Sequence, residues 1–447
     1  MSDHSDQHVS SPLAPGIQRI LTGIKPSGTP HIGNYVGAIR PALAASRATG
    51  AQNFFFLADL HSLINTSDPL RVQRSTLSIA ATWLACGLDT NTAWFYRQSD
   101  IPEIAELNWL LSCVTGKGML NRAHAYKAAV DKNAAAGDDG DTGISAGLYT
   151  YPVLMAADIL IFGADRVPVG RDQVQHIEMA RDIAQRFEHV YGAGHFTLPH
   201  AVVDDNVATL PGLDGRKMSK SYDNTIPLFA TSSELKKLVY AIRTDSRVPG
   251  EPKQIGRNAL FELYRAFADT DQVAGFAEAY AQGIGWADAK QRLFERIDQE
   301  LAPLRDRYHD LVARPQDIEA LLRMNAEKLR DEYARPMLAR LRDAVGLRSL
   351  SAIQAAAPSP TRKTARAAFK QYREVDGRFY FKLLDDDGSV QFQSTGYASG
   401  REAASAIEVL RSACSERELS MLGTGLPVSP SQLLEVLERM RSLSARG

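Results

Sequence analysis

At 447 residues the chain is long enough for two to four cores, and its 44% hydrophobic content is ordinary for a globular protein. A formal net charge of −1 excludes a global field that would draw the chain to nucleic acid or a membrane, so any such contact has to be local. Three scattered cysteines, Cys86, Cys113 and Cys414, form no CxxC pair, which argues against a zinc site or a disulfide framework and fits a reducing, cytoplasmic setting.

In chain order, residues 1–16 are polar, lack an apolar signal core and predict a disordered tail. No later window approaches the roughly eighteen apolar residues of a membrane span, so no membrane partner is expected. Residues 23–38, GIKPSGTPHIGNYVGA, are a Gly- and Pro-rich turn running into a helix that starts at His31-Ile32-Gly33-Asn34. Gly33 and Gly37 let a planar ring or a phosphate approach the backbone. A helix start adds N–H donors and a positive dipole end. A tight turn capped by Asn34 explains the stretch equally well by itself. There is no GxxxxGK[ST] and no GxGxxG, so neither a P-loop nor a dinucleotide fingerprint is present.

QNFFFLADL and AWFYRQSD predict buried strands, and DPLRVQRSTLSIAATWLACG between them predicts a helix ending at Gly87. Residues 104–130 predict helix, and 131–147, acidic and Gly-rich, a mobile loop. RVPVG predicts a strand and RDQVQHIEMARDIAQRF a helix, with Val174, Ile177, Ala180, Ala184 and Phe187 near one face. This alternation predicts a parallel sheet covered by helices, with an insertion between its halves. From about 231 to 346 the pattern is helical throughout, which predicts a separate all-helical domain.

Residues 211–224, PGLDGRKMSKSYDN, place Lys217 and Lys220 around Ser219 and Ser221 in a loop of small residues. Two ammonium groups and two hydroxyls suit a polyphosphate and can follow charge onto a leaving group. A solvated basic loop is the plain alternative for a lone KxxK. Beyond 346, a linker over 347–368 leads into a small α+β appendix over 369–447. From Arg348 to Arg373 the chain carries Arg348, Arg362, Lys363, Arg366, Lys370 and Arg373 and no acidic residue. RFYFKLLDDDGSVQFQS predicts a hairpin with Phe379 and Phe381 on one face and Tyr380 on the other. SGREAASAIEVLRSACS and SPSQLLEVLERMRSL predict two helices.

The two glycine-rich stretches together resemble the signatures of the class I aminoacyl-tRNA synthetases. These are a HIGH-like tetrapeptide, here His31-Ile32-Gly33-Asn34, and a KMSKS loop, here Lys217-Met218-Ser219-Lys220-Ser221. The second matches in full, while the first has Asn34 in place of His. Over residues 18–345 the sequence is most similar to the tryptophanyl-tRNA synthetases, with YPVLMAADIL and VPVGRDQVQHIEMARDIAQRF adding to the match.

The resemblance implies a Rossmann-like catalytic domain over 17–230, with a helical insertion at about 104–147, and an anticodon-binding role for the helical domain. It also implies ATP and Mg2+ as cofactors, L-tryptophan and tRNA(Trp) as partners, and a homodimer with its interface around Trp109–Tyr126. Lys25, Pro26 and Ser27 correspond to the turn that holds the adenosine phosphates, with Lys25 standing where the family more usually has Gln. Gly170, Arg171 and Asp172 correspond to the turn that holds the ribose, with Arg171 in place of the usual Glu. Val207 corresponds to a backbone contact with adenine.

An indole has one N–H donor and no acceptor, so a buried acceptor-only group among apolar side chains suits it. Asp158 is that candidate, with Met155 one turn earlier where tyrosine enzymes carry Gln. Tyr151 and Gln173 correspond to partners of the substrate's ammonium and carboxylate, and His61 to a residue near the same pocket. Two enzyme alternatives remain at this stage: a tyrosine-specific synthetase, and a nucleotidylyltransferase of the same fold acting without tRNA.

Overall fold

The computed structural model describes residues 17–412 apart from Ser27, 48–49, 204–208, Arg257, Ser349, 351–367 and 385–389, together with residues 431, 434–435 and 437–438. The expected tail, most of the expected linker, Ser27, Val207 and most of the last expected helix lie outside the described residues. The chain divides into two compact units, Met1–Leu347 and Arg348–Gly447.

In the first unit, five parallel strands form a sheet in the order β3-β2-β1-β4-β5. They are β1 (Gln18–Ile24), β2 (Ala51–Leu57), β3 (Ala93–Arg97), β4 (Arg166–Pro168) and β5 (His200–Val202). The run AQNFFFL reads as a central strand because both of its faces are covered. Side chains alternate across the pleat, so Phe54 and Phe56 enter one core while Phe55 and Leu57 enter the other. Phe56 stacks on Tyr96 at 5.8 Å, and Phe55 lies against Trp83 at 5.2 Å.

The helix Pro69–Ala85 starts where Asp68 accepts hydrogen bonds from the backbone N–H groups of Leu70 and Arg71. The insertion is not one helix: Pro102–Ser112, Lys117–Leu120 and His124–Ala136 follow one another. The last of these runs into the segment expected to be loop. There Asn133 Nδ2 donates to the carbonyls of Gly140 (2.9 Å) and Thr142 (2.8 Å), and Tyr126 donates to Asp141 (2.8 Å).

The helical region after residue 231 shares its cores with the sheet. Leu293, Ile297 and Leu301 of the long helix Trp286–Val312 lie in the same core as Phe55, Leu57 and Phe95. The next helix, Pro315–Leu329, runs along β3 and wraps that edge. Its Ile318 and Leu322 enter one core, its Ala326 and Leu329 the other, and Asn325 Nδ2 donates to the carbonyl of Phe95 at 3.1 Å. Helical periodicity reports an apolar stripe but not the partner that covers it.

The second unit is a three-stranded antiparallel sheet, β6 (Ala368–Arg373), β7 (Phe379–Leu384) and β8 (Val390–Gln393), with the helix Gly400–Ser412. β7 and β8 are the expected hairpin strands. β6 falls at the end of the basic segment, where charge masked the alternation of AFKQYR. The core is Phe381, Leu383 and Phe392 against Ala403, Ala406, Ile407 and Leu410.

Candidate active site

All five strands of the first sheet run the same way, so their carboxyl ends share one edge. The strand order reverses between β1 and β4, which opens the crevice where such sheets bind ligands. Lys25 and Pro26 follow β1, His61 follows β2, Gln98 follows β3, and Gly170, Arg171 and Asp172 follow β4.

The first turn leads into a helical run that begins at Ile32–Asn34 and continues through a π-helical turn, Tyr35–Ile39, to Arg40–Ser46. His31 and Asn34 close a reciprocal cap. Asn34 N–H donates to His31 Nδ1 (3.3 Å), and His31 N–H donates to Asn34 Oδ1 (3.1 Å). Nδ1 is therefore an acceptor, and the ring proton belongs on Nε2. Burial, and then the charge of Lys220, hold the His31 pKa down to about 4. His31 is a neutral donor at physiological pH. Using Oδ1 in the cap leaves the exposed Asn34 its amide donors. The helix is anchored from behind, where Glu300 accepts from the Tyr35 hydroxyl (3.0 Å) and from Arg40 (3.2 Å).

The loop at 211–224 lies directly on this turn. Ile32 N–H donates to the Ile226 carbonyl and Leu228 N–H to the Pro30 carbonyl, both at 3.0 Å. A Cβ on Gly33 would stand 2.9 Å from His31 Nδ1 and 3.5 Å from Met218 Sδ. Gly28, at φ +73°, has Lys220 Nζ 3.4 Å from where its Cβ would be. The two signatures are thus brought together in space. Burial lowers the pKa of Lys25 and of Lys220.

Inside the loop, buried Asn224 acts as a pin. Its Oδ1 accepts from Ser219 N–H (2.8 Å), while Nδ2 donates to Asp214 (2.7 Å) and to the Lys217 carbonyl (3.1 Å). The Ser219 and Ser221 hydroxyls are 2.8 Å apart. Hydrogen bonding from Asn224, then from Arg216, holds the Asp214 carboxyl at about 2.

Asp158 sits on the helix Ala146–Leu160 and is 1% exposed. His61 Nε2 lies 2.9 Å from Oδ2, and Gln98 Nε2 donates to Oδ1 (2.8 Å) and Oδ2 (3.0 Å). Burial raises the Asp158 pKa, opposed by these two partners. Met155, half-buried one turn away, packs in the same core as Phe54 and Phe56. A second chain of polar groups runs beside it. The Tyr151 hydroxyl is hydrogen-bonded to His176 Nε2, His176 Nδ1 is 2.9 Å from Gln173 Oε1, and Gln173 Nε2 donates to Asp172 (2.9 Å).

Three of these residues were missed from the sequence: Gln98, His176 and Asn224. Gln98 had a signal in its place at a strand's carboxyl end, and Asn224 in its place inside the loop already singled out. His176 had none, because its partner Tyr151 is remote in sequence.

A family description, tRNA synthetases class I (W and Y), matches residues 17–302. The tryptophan–tRNA ligase of Xanthomonas axonopodis pv. citri is 62% identical over 95% of this chain and 98% of its own. That of Xanthomonas campestris pv. campestris is 67% identical over 87% of this chain and 90% of its own. The crystal structure of tryptophanyl-tRNA synthetase from Campylobacter jejuni, complexed with ADP and tryptophan, is 38% identical, with a TM-score of 0.67. It is covered in full by 74% of this chain. About a quarter of the present chain therefore has no counterpart in that structure. On the strength of these matches, the chain belongs to the class I tRNA synthetases for tryptophan and tyrosine, and within them to the tryptophan–tRNA ligases.

Proposed function

We propose that the protein activates L-tryptophan with ATP and transfers the aminoacyl group to tRNA(Trp). The observation that carries the proposal is the seating of Met218 and Lys220 of the late loop on Gly33 and Gly28 of the first turn. The ligase relatives support tryptophan over tyrosine, and Met155 beside Asp158 agrees with them.

In the first step the tryptophan carboxylate, ionised near pH 7, attacks the α-phosphorus of ATP. The bond from α-phosphorus to the bridging oxygen breaks, and pyrophosphate leaves with the electron pair. No general base is needed, so the chain's work is positioning and charge stabilisation. Lys217 and Lys220 take up charge on the departing phosphates, Ser219 and Ser221 offer hydroxyls, and Lys25 and Asn34 approach from the first turn. Pro26 and Gly33 shape the adenosine side, and Gly170, Arg171 and Asp172 the ribose side. Mg2+ enters with ATP as part of the substrate, bound to its phosphates.

Asp158 accepts the indole N–H, while His61 and Gln98 fix the carboxylate. Tyr151 and Gln173 bind the amino-acid backbone, and His176 orients both. The mixed anhydride then passes its acyl group to the 2′-hydroxyl of the terminal adenosine of the tRNA, releasing AMP. The helical region reads the anticodon, whose unpaired bases can be recognised on their edges. Two copies associate through the helix Pro102–Ser112, on which Trp109 is 67% exposed. No described helix is long and apolar enough to cross a membrane, and we place the enzyme in the cytoplasm.

The test is pyrophosphate exchange into ATP with each proteinogenic amino acid in turn. Exchange is expected with tryptophan alone, and exchange driven by tyrosine or by none would reject the reading.

A further inference from the structure

None of the residues assigned above lies beyond Leu347, yet the second unit has two unlike faces. Along β7, Phe381 and Leu383 point to the helix Gly400–Ser412 and, with Phe392 of β8, form the core. The intervening residues point the other way. Strand register sets Lys370 of β6 opposite Lys382 of β7, and Tyr372 opposite Tyr380. The two phenol rings stack with centroids 5.9 Å apart and planes 22° from parallel. Lys382 Nζ stands 5.5 Å over the Tyr372 ring. Gly396 lets Tyr380 lie close, since a Cβ there would be 2.8 Å from the phenol. Lys370 is exposed, and the other three are partly so.

Two lysines directly opposite each other on one sheet face repel, and a bound anion relieves that repulsion. Partly exposed phenols offer a planar ring an aromatic surface. The sequence sets Asp385, Asp386 and Asp387 directly after β7; the acidic neighbours among the described residues, Glu374 and Asp376, are both in the β6–β7 turn. Asp376 is engaged there as acceptor for the Tyr380 hydroxyl at 2.6 Å. The segment entering β6 from Arg348 is basic and without an acidic residue. A planar ring beside a phosphate is the repeating unit of unpaired RNA; a duplex hides its base faces, and an apolar protein partner would leave the ammonium groups unpaired.

We propose that this sheet face binds an unpaired stretch of the tRNA that the first unit charges, with a base laid on Tyr372 and Tyr380 and phosphates paired to Lys370 and Lys382. The inference rests on the charging reaction but concerns tRNA affinity, not chemistry on tryptophan.

The test uses the full chain and two double variants, Lys370→Gln with Lys382→Gln, and Tyr372→Leu with Tyr380→Leu. Binding of unacylated tRNA(Trp) transcript is measured across a salt titration, beside tryptophan-dependent pyrophosphate exchange. The lysine pair is expected to weaken tRNA binding about tenfold at low salt. It should also reduce the salt slope by about 1.4, since each single-strand phosphate left without its lysine accounts for about 0.7. The tyrosine pair is expected to weaken binding about tenfold with the slope unchanged. Exchange is expected to stay at the wild-type rate in both. Wild-type affinity and slope in the lysine variant, whose substitutions lie on the face away from the core, would overturn the proposal. So would variants that bind poly(U) more weakly but tRNA(Trp) as tightly as the wild type does. Failure of the charging reading would show separately, as absence of exchange in the wild-type protein.

Discussion

The loop at 211–224 and the helix Ala146–Leu160 both carry charge, but they hold it in opposite ways. Lys217 and Lys220 are exposed, on a segment tied down by backbone hydrogen bonds and by one buried side chain, Asn224. Asp158 is buried, and its two oxygens already accept from His61 and Gln98. An exposed ammonium group can follow a charge that moves during reaction, whereas a buried and pre-oriented carboxylate keeps one direction and one demand. The loop therefore suits chemistry and the carboxylate suits selection. Breaking each should damage a different kinetic quantity.

The largest effect is expected at the loop. Lys217→Ala or Lys220→Ala should lower the rate of tryptophan-dependent pyrophosphate exchange about 10²-fold or more, the scale of losing a preorganised donor to developing charge. The KM for tryptophan should hold. Equal loss in KM and rate would mean that the lysines hold the loop together rather than the phosphates.

At the carboxylate, Asp158→Asn keeps the shape but turns an acceptor-only group into one with donors. It should cut kcat/KM for tryptophan about 10- to 100-fold, the range for a hydrogen bond to a charged group. Most of that should appear in KM. Discrimination against phenylalanine, which lacks the N–H, should narrow by the same factor. An unchanged ratio of the two substrates would remove Asp158 from indole recognition.

Asn224→Ala sharpens the contrast, because it disturbs the loop without touching a lysine. The side chain is 2% exposed and holds Ser219 N–H, the Lys217 carbonyl and Asp214 together. Exchange should slow about tenfold, the cost of one buried hydrogen-bonding group left unsatisfied. Tryptophan affinity should be unaltered. A rate equal to wild type would show that the loop's shape is kept by its backbone alone.

Much of this architecture is visible in local pattern. FFFL is a strand buried on both faces, and Phe54 and Phe55 do enter opposite cores. The glycines around His31 and the serines around Lys220 mark two loops, and the fold sets them against each other. What local pattern does not carry is the identity of a distant partner. Nothing in VQHIEMARDI says that His176 meets Tyr151, and nothing in the 231–346 helices says that they close over β3. The cap at His31 and Asn34 lies between these cases. The spacing marks a helix start, but only the structure shows that capping spends the imidazole's Nδ1 and so fixes which nitrogen carries the proton.

That fixed proton has a small consequence in solution. Burial and Lys220 both disfavour the imidazolium, so the pKa of His31 falls from 6.5 to about 4 on folding. As pH drops through 6.5 the unfolded chain takes up a proton that the folded chain refuses until about 4. Stability from this residue is therefore complete above that window, declines within it and changes no further below it. In His31→Gln the group is gone. Between pH 7 and 5 the thermal midpoint of the wild-type protein should fall further than that of the variant. Equal falls would mean that His31 protonates as readily in the folded protein as in the unfolded chain, and that it is not confined to its neutral form beside the lysine.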